Sequence, residues 1–513
     1  MQSSFSRRLA LGCLFAVVAQ AHVGSPDIYL DGQAGPYQLF VTIRPPQVIP
    51  GVASLEIRAE NPGVRELTAV PVPIAGPGAK YAPIPDKLNQ SKQDAQFFTG
   101  ALWIMAPGSW QVRIAATGEK GRGVLSVPVP SAASTTKRMQ LSIGALLSLL
   151  GLFLVTGMVA IVGAANREAK LAPGVIPSEH AKRKGRIAMA VAAIVLLGIV
   201  FAGDSWWKNE ATHYSDTVYR PIEMTPTLDG NGTLTLRLAD SGWLQLPKNG
   251  PVPHRMALFM FRHSIDDLVP DHDHLMHLYV LREPGLDAVY HLHPDQVEAG
   301  VFRLQLPAIV PGRYRLYADI VHANGFPETP VANVEIPGSL PSRPLAGDDA
   351  SARADDCLQA KPSTSFTLPD GYRMEWVRAN EPITARQGQS FRFRLVDQKG
   401  ETPQDMALYM GMLGHAAFVK TDGTVFAHIH PMGTASMAAL NLAQSGTTHP
   451  QPADTPGMDM SSMPGMDMPA TTAKLPNEVS FPYGFPTPGK YRIFVQMKHG
   501  NTVETGVFDA VVS

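Results

Sequence analysis

Cysteine is almost missing from this 513-residue chain, which holds only Cys13 and Cys357. Cys13 lies in a stretch expected to be removed, which leaves Cys357 alone. Neither a disulfide framework nor a cysteine-based zinc site is then available. A surplus of one charge sign is missing as well: 43 Lys and Arg stand against 44 Asp and Glu, so nothing favours nucleic acid. No nucleophile elbow, phosphate loop or zinc-protease helix can be read in the chain. In their place stand 45 Pro and 45 Gly, which favour a turn-rich β architecture, and an unusual 16 His and 21 Met. The length suits two to four domains.

Residues 1–21, MQSSFSRRLALGCLFAVVAQA, have the parts of a secretory signal. Arg7 and Arg8 precede an apolar core from Leu9 to Val18, and Ala19-Gln20-Ala21 forms a cleavage site; an uncleaved anchor is the other reading. Cleavage after Ala21 makes His22 the N-terminus, where amine and ring together can chelate copper, although residues 23–179 contain no second His. Leu141 to Gly163 and Ile187 to Gly203 are charge-free apolar runs long enough to span a bilayer. The loop between them carries Arg167, Lys170, Lys182, Arg183, Lys184 and Arg186 against Glu168 and Glu179, which places it in the cytoplasm. The expected location is a bacterial inner membrane, with the N-terminal and C-terminal domains in the periplasm.

One closing strand is written three times: PGSWQVRIAATG (107–118), PGRYRLYADIVH (311–322) and PGKYRIFVQMKH (488–499). Each is a Pro-Gly turn, an aromatic at the fourth position, then period-two alternation, the pattern of a half-buried strand. The expected fold is mainly β: three immunoglobulin-like β-sandwiches plus a two-helix transmembrane hairpin. The sandwiches are assigned to 22–135, 208–338 and 364–513, the helix pair to 139–207, and a polar linker to 339–363. A low-complexity, Met-rich insertion covers 441–478.

His-x-His-Pro occurs twice, in AVYHLHP (288–294) and VFAHIHP (425–431). A hairpin centred on Gly285 pairs residues whose numbers sum to 570, which sets His277 opposite His293. A hairpin at Asp422-Gly423 pairs residues summing to 845, which sets His415 opposite His430. Side chains at i and i+2 share a strand face, so His291 and His428 join these patches. Three imidazoles then converge at one end of each sheet. His322 and His499, both twelfth in the closing-strand repeat, are fourth candidates. The first domain has Gly118 there and no His-x-His, so the fold itself does not require these histidines.

Aligning His277 with His415 sets His272 on Met410 and His274 on Met412, an exchange that preserves copper binding but not a preference for zinc or magnesium. The run PGMDMSSMPGMDM adds Met458, Met460, Met463, Met466 and Met468, thioethers that favour Cu(I) over Cu(II). The Met-Asp-Met and Met-Pro-Gly-Met run resembles the methionine-rich segments of periplasmic copper-resistance proteins. The domain plan resembles CopC-like and YtkA-like extracytoplasmic domains. That resemblance implies a non-enzymatic role in copper capture, delivery or tolerance, with a periplasmic or membrane copper-handling partner. Two other classes stay open. Gly285, His291, His293 and Glu298 match the first motif of cupins, metal-dependent enzymes. A structural or signalling membrane protein without metal is the third.

Overall fold

Six antiparallel sheets, taken in chain order, fall into three pairs. The structure is a computed structural model that describes residues 27–513 except 75–78, 80, 173, 216, 242, 244–263, 339, 358–361, 380 and 446–473. The expected signal segment, His22 and the methionines at 458–468 lie outside the described residues. The first pair, five- and four-stranded, runs from Ile28 to Ser131; the second, four- and six-stranded, from Glu223 to Arg353; the third, four- and five-stranded, from Ser365 to Val512. The protein is mainly β, as its turn-rich composition suggests.

The repeated closing strand has a structural reason. Gly108, Gly312 and Gly489 sit at φ of 124°, 144° and 140°, where a side chain is strained, so the turn needs glycine. The aromatic two residues later is buried in each case, and its polar tip reaches back four residues to a carbonyl. Trp110 Nε1 donates to Ala106 O, Tyr314 Oη to Val310 O and Tyr491 Oη to Thr487 O, at 2.9, 2.7 and 2.8 Å. Pinning this corner stabilises each sandwich in the same way.

Two helices, α1 (Leu141–Glu168) and α2 (Glu179–Ser215), lie between the first and second sheet pairs. Both are long and apolar enough to cross a membrane. They pack closely where Gly163 leaves room for Met189.

The His-bearing hairpins adopt the registers that their turns demand. Tyr279 pairs with His291 and Val280 with Tyr290 in the second domain, and Ala417 pairs with His428 in the third. Along the strand His277–Arg282, Leu278 and Val280 enter the domain's own core, while Tyr279 and Leu281 face the opposite way. In the strand His415–Lys420, Ala416 and Phe418 face inward, and Ala417 and Val419 outward. The two outward faces pack on each other through Tyr279, Leu281, Tyr317, Ala417, Val419, Phe426 and Phe494. Both hairpins are therefore buried on both sides, and the histidines lie on the shared face.

The first domain braces this assembly. Tyr29 belongs to the apolar core of the third domain, while Met412, Met437 and Leu440 join the core of the first. Asp31 N donates to Met432 O at 2.8 Å and Thr434 N to Tyr29 O at 2.9 Å, which fixes the loop after His430. The expected linker is also more ordered than its polar composition suggests. Ala350–Arg353 adds an edge strand beside Ala288–Leu292, with Ala350 opposite His291. The start of the Met-rich insertion lies in a helix, Met437–Ser445, that packs on the strand Gly121–Ser131.

Candidate metal centre

Between the second and third domains, the two His sets meet in one cluster. The first triad is His277, His291 and His293; the second is His272, His415 and His430, and within each triad one ligand nitrogen per ring lies within 4.8 Å of the others. The His428 ring sits between them, 5.3 Å from that of His277 and 5.5 Å from that of His415. His274 stacks on His293 at 3.9 Å and forms the solvent-reachable rim, its side chain 28 % exposed. His277, His291, His415, His428 and His430 are buried. The sequence suggested two separate clusters, one at the end of each sheet; the structure joins them in one, inside an interface, because the outward hairpin faces cover each other.

Each ring of the first triad has its outer nitrogen on an oxygen acceptor. His277 Nε2 lies 2.9 Å from Asp271 O, His291 Nδ1 2.8 Å from Gln496 Oε1, and His293 Nδ1 3.2 Å from Asp349 Oδ1. Those nitrogens therefore carry the protons. The inner nitrogens are left as lone pairs. His277 Nδ1 lies 3.2 Å from both His291 Nε2 and His293 Nε2. Such a spacing is about the edge of a coordination shell with metal–nitrogen bonds of about 2.0–2.1 Å. A proton on an inner nitrogen would instead leave a cation on a fully buried ring. Burial pushes the His277 and His291 pKa values well down, and the neighbouring imidazoles push further, so this alternative is costly.

The second group repeats the logic. His430 Nδ1 donates to Ala435 O at 3.2 Å and His428 Nδ1 to Asp319 Oδ2 at 3.0 Å. The His272 ring lies against the Met410 backbone. Five buried nitrogens then have no hydrogen-bond partner: Nε2 of His272, His428 and His430, and both nitrogens of His415. Each unsatisfied buried group costs about 1–3 kcal/mol. Together that rivals the whole folding free energy of a domain, about 5–15 kcal/mol. A metal ion would supply the missing partner, and residues of this type and spacing fit one.

The turn that carries His272 supports the alignment with Met410. His272 and Asp273 have φ of 49° and 68°, Met410 and Gly411 φ of 49° and 78°, and each turn is closed by a reciprocal backbone pair. A non-glycine pair held at positive φ is strained. In the second domain that strain aims an imidazole into the cluster; in the third, Met410 offers its backbone instead.

Other candidates stand elsewhere. His322 is clasped by Asp267 Oδ1 at 2.6 Å and Glu328 Oε2 at 3.0 Å, so both its nitrogens are used. Burial alone would lower its pKa, but the two carboxylates outweigh that and push it up to about 9. It is a structural cation outside the cluster. His499 lies in a separate acidic group with Asp370 and Glu504. Met412 is buried in apolar packing against the first domain. Glu298, the acidic member of the cupin pattern, is exposed and lies 3.6 Å from Arg237.

Residues the sequence reading missed hold the rings in place. Asp319 and Gln496 both stand ninth in the closing-strand repeat, opposite His277 and His415 in register. They reach across the interface reciprocally: Asp319 of the second domain holds His428 of the third, and Gln496 of the third holds His291 of the second. The signal was present as a polar residue breaking the apolar run, where the first domain has Ala115. Asp349, from the linker, is fixed by Arg343 at 2.5 Å. Burial would raise its pKa, but bonds to His293 and Arg343 hold it down at about 2.

Residues 248–336 and 366–513 match a family described as a domain of unknown function, DUF8832. That match takes in both His-x-His hairpins and leaves out the first domain and the helix pair. No curated protein matches. Among solved structures, the chain is similar to a tetra-tandem repeat from the extending region of a large adhesion protein, with 8 % identity over 91 % of this chain and 71 % of that one, at a TM-score of 0.16. A membrane anchored protein from Corynebacterium diphtheriae shares 9 % identity over 94 % of each chain, at a TM-score of 0.14. Dimeric latent PorU from Porphyromonas gingivalis shares 10 % identity over 90 % of this chain and 32 % of its own, at 0.13. Scores this low describe no shared arrangement, and nothing is drawn from them.

Proposed function

We propose that this chain is a membrane-anchored periplasmic copper-binding protein whose centre, between two immunoglobulin-like domains, holds two adjacent ions, one per triad, with His428 between them. The observation that carries the reading is the set of buried imidazole nitrogens that face one another, in which every ring but His415 directs its proton outward or has a bare inner nitrogen without a partner. An all-imidazole donor set suits copper in either oxidation state and follows the affinity order that places Cu(II) above Zn(II). The preference for Cu(I) rests on the methionine-rich run. That run would collect the ion, and His274, at the solvent rim over His293, is where it would enter.

Burial changes the balance among capture, tolerance and delivery. Ligands buried on both sides, most of them oriented by a second residue, release an ion slowly. Retention for tolerance is therefore favoured over rapid hand-over. The basic loop between α1 and α2 supports a cytoplasmic hairpin with both flanking regions outside.

The test is titration of the full-length, detergent-solubilised chain with Cu(I), Cu(II) and Zn(II) against competing chelators. A variant with His291, His293, His428 and His430 changed to Ala is run beside it. Two copper ions per chain are expected, one per triad, and both should be lost in the variant while circular dichroism is preserved. A wild type that binds no copper, or a variant that binds as well, overturns the reading. Retention of iron or manganese by the first triad alone would move the assignment to a metalloenzyme.

A further inference from the structure

Away from the interdomain cluster, the third domain gathers a different donor set. Asp370 lies in the turn before the strand Arg373–Val377, His499 closes the strand Gly489–His499, and Glu504 lies on the paired strand Thr502–Val512. One ligand atom from each falls within 4.8 Å of the others. His499 is 8 % exposed, and its Nε2 is buried without a hydrogen-bond partner. That nitrogen lies 3.3 Å from Asp370 Oδ2 and 3.6 Å from Glu504 Oε1, close but not aligned for a hydrogen bond. Asp370 is already oriented, because its Oδ1 accepts from Tyr372 N at 3.0 Å and leaves Oδ2 directed at the imidazole. The ring itself is held by Asp405 Oδ2, 3.4 Å from Nδ1, and by Tyr372 stacked at 4.3 Å.

The equivalent histidine of the second domain shows what a purely structural arrangement looks like. His322 also has an aspartate at Nδ1 and a glutamate at Nε2, but at 2.6 and 3.0 Å, in hydrogen-bond geometry. Its glutamate is further satisfied by Tyr219 Oη and the Ile222 N–H. In the third domain the same pair has opened, and an additional carboxylate, Asp370, has entered at Nε2. An opening of this kind costs hydrogen bonds unless something fills it.

We infer that Asp370, His499 and Glu504 form a second metal site, for a divalent first-row cation of the zinc class. A cation with bonds of about 2.0–2.2 Å to nitrogen and oxygen separates tetrahedral ligand atoms by about 3.3–3.6 Å. The spacings around Nε2 match that edge. One neutral imidazole and two carboxylates neutralise a divalent ion, whereas the set lacks the soft donors that Cu(I) prefers. Asp405 then plays the outer-shell part that fixes the ring.

The experiment uses the full-length chain in detergent, with zinc as the probe and the His291, His293, His428 and His430 to Ala background to silence the interdomain cluster. In that background one zinc per chain is expected at this site. Asp370→Asn keeps the bond to Tyr372 and lies on an exposed turn, and it should weaken zinc at least tenfold. Glu504→Gln should abolish it. In the otherwise wild-type chain, Asp370→Asn should leave Cu(I) stoichiometry unchanged, so the result is read independently of the copper centre. No zinc in the silenced background, or equal affinity in Asp370→Asn, overturns the assignment.

Discussion

The hairpin of the second domain keeps its three histidines, His277, His291 and His293, together in one triad. The hairpin of the third divides its own: His415 and His430 combine with His272 from the other domain, and His428 stands between the groups. The two hairpins place their histidines on the same strand face and follow the same turn at His272 and Met410, so the difference comes from what faces them. A pair of repeated domains has become a single unequal centre because their outward faces pack together, and each closing strand then supplies a residue that holds the other domain's ring. The first domain, whose described residues include no histidine, fixes the loop after His430 and so holds the second triad in place.

His272 is the residue that most sharply separates the two hairpins, and exchanging it gives the largest expected effect. His272→Met installs the residue that the third domain carries at the same turn position. Because a thioether holds Cu(I) but holds Cu(II) poorly, it should remove Cu(II) from the second triad and leave the first, so that Cu(II) stoichiometry in a chelator titration falls by half while Cu(I) stoichiometry is kept. Met410→His, the reverse exchange, should leave stoichiometry unchanged if the third domain's turn serves only through its backbone. Equal losses from both would mean that the two turns act alike and that the centre is symmetric.

The second exchange concerns His322 and His499, twelfth in the same repeat. His322→Gln leaves the buried Glu328 and the half-buried Asp267 without their cation, a loss of about 3–5 kcal/mol. The sign follows from the raised pKa of about 9. A proton held more tightly in the folded state than in the unfolded one stabilises fully below about pH 6.5. That stabilisation is lost as pH rises through 9. The melting-temperature gap between wild type and His322→Gln should therefore be wide at pH 6 and narrow toward pH 10. A gap independent of pH would show that His322 is neutral.

Much of this was readable before any coordinates. The Asp422-Gly423 turn sets the third-domain hairpin register, and period two then places His428 with His415 and His430 on one face. The correspondence of His272 with Met410 followed from counting back from aligned histidines, while the positive-φ turn that they share did not. The identity of that face was hidden, because strands such as His277–Arg282 are apolar on both sides and periodicity cannot say which side meets the domain's own core. The merger of two clusters into one depends on domain packing, a long-range property that no local window contains. Asp349 was hidden for the opposite reason: a polar, proline-containing stretch reads as linker, yet its Arg343–Asp349 pair and the edge strand that follows order it against His293.

The smallest expected effect tests the reciprocal support across the interface. Gln496 Oε1 accepts from His291 Nδ1 and so directs the ring's other nitrogen into the first triad. Removing an outer-shell partner of this kind costs about 10–100-fold in metal affinity. Gln496→Leu should fall near the tenfold end, because Tyr409 Oη stands 3.3 Å from the same nitrogen and can accept in its place. That hydroxyl is itself fixed by donating to Asp348 O at 2.7 Å, which leaves its lone pair turned to the ring. Adding Tyr409→Phe removes the substitute, so the double variant should move toward a hundredfold loss. In a two-step copper titration, only the step belonging to the first triad should shift. If both steps shift together, the two triads bind as one coupled unit, and the inequality between the hairpins does not extend to the metal.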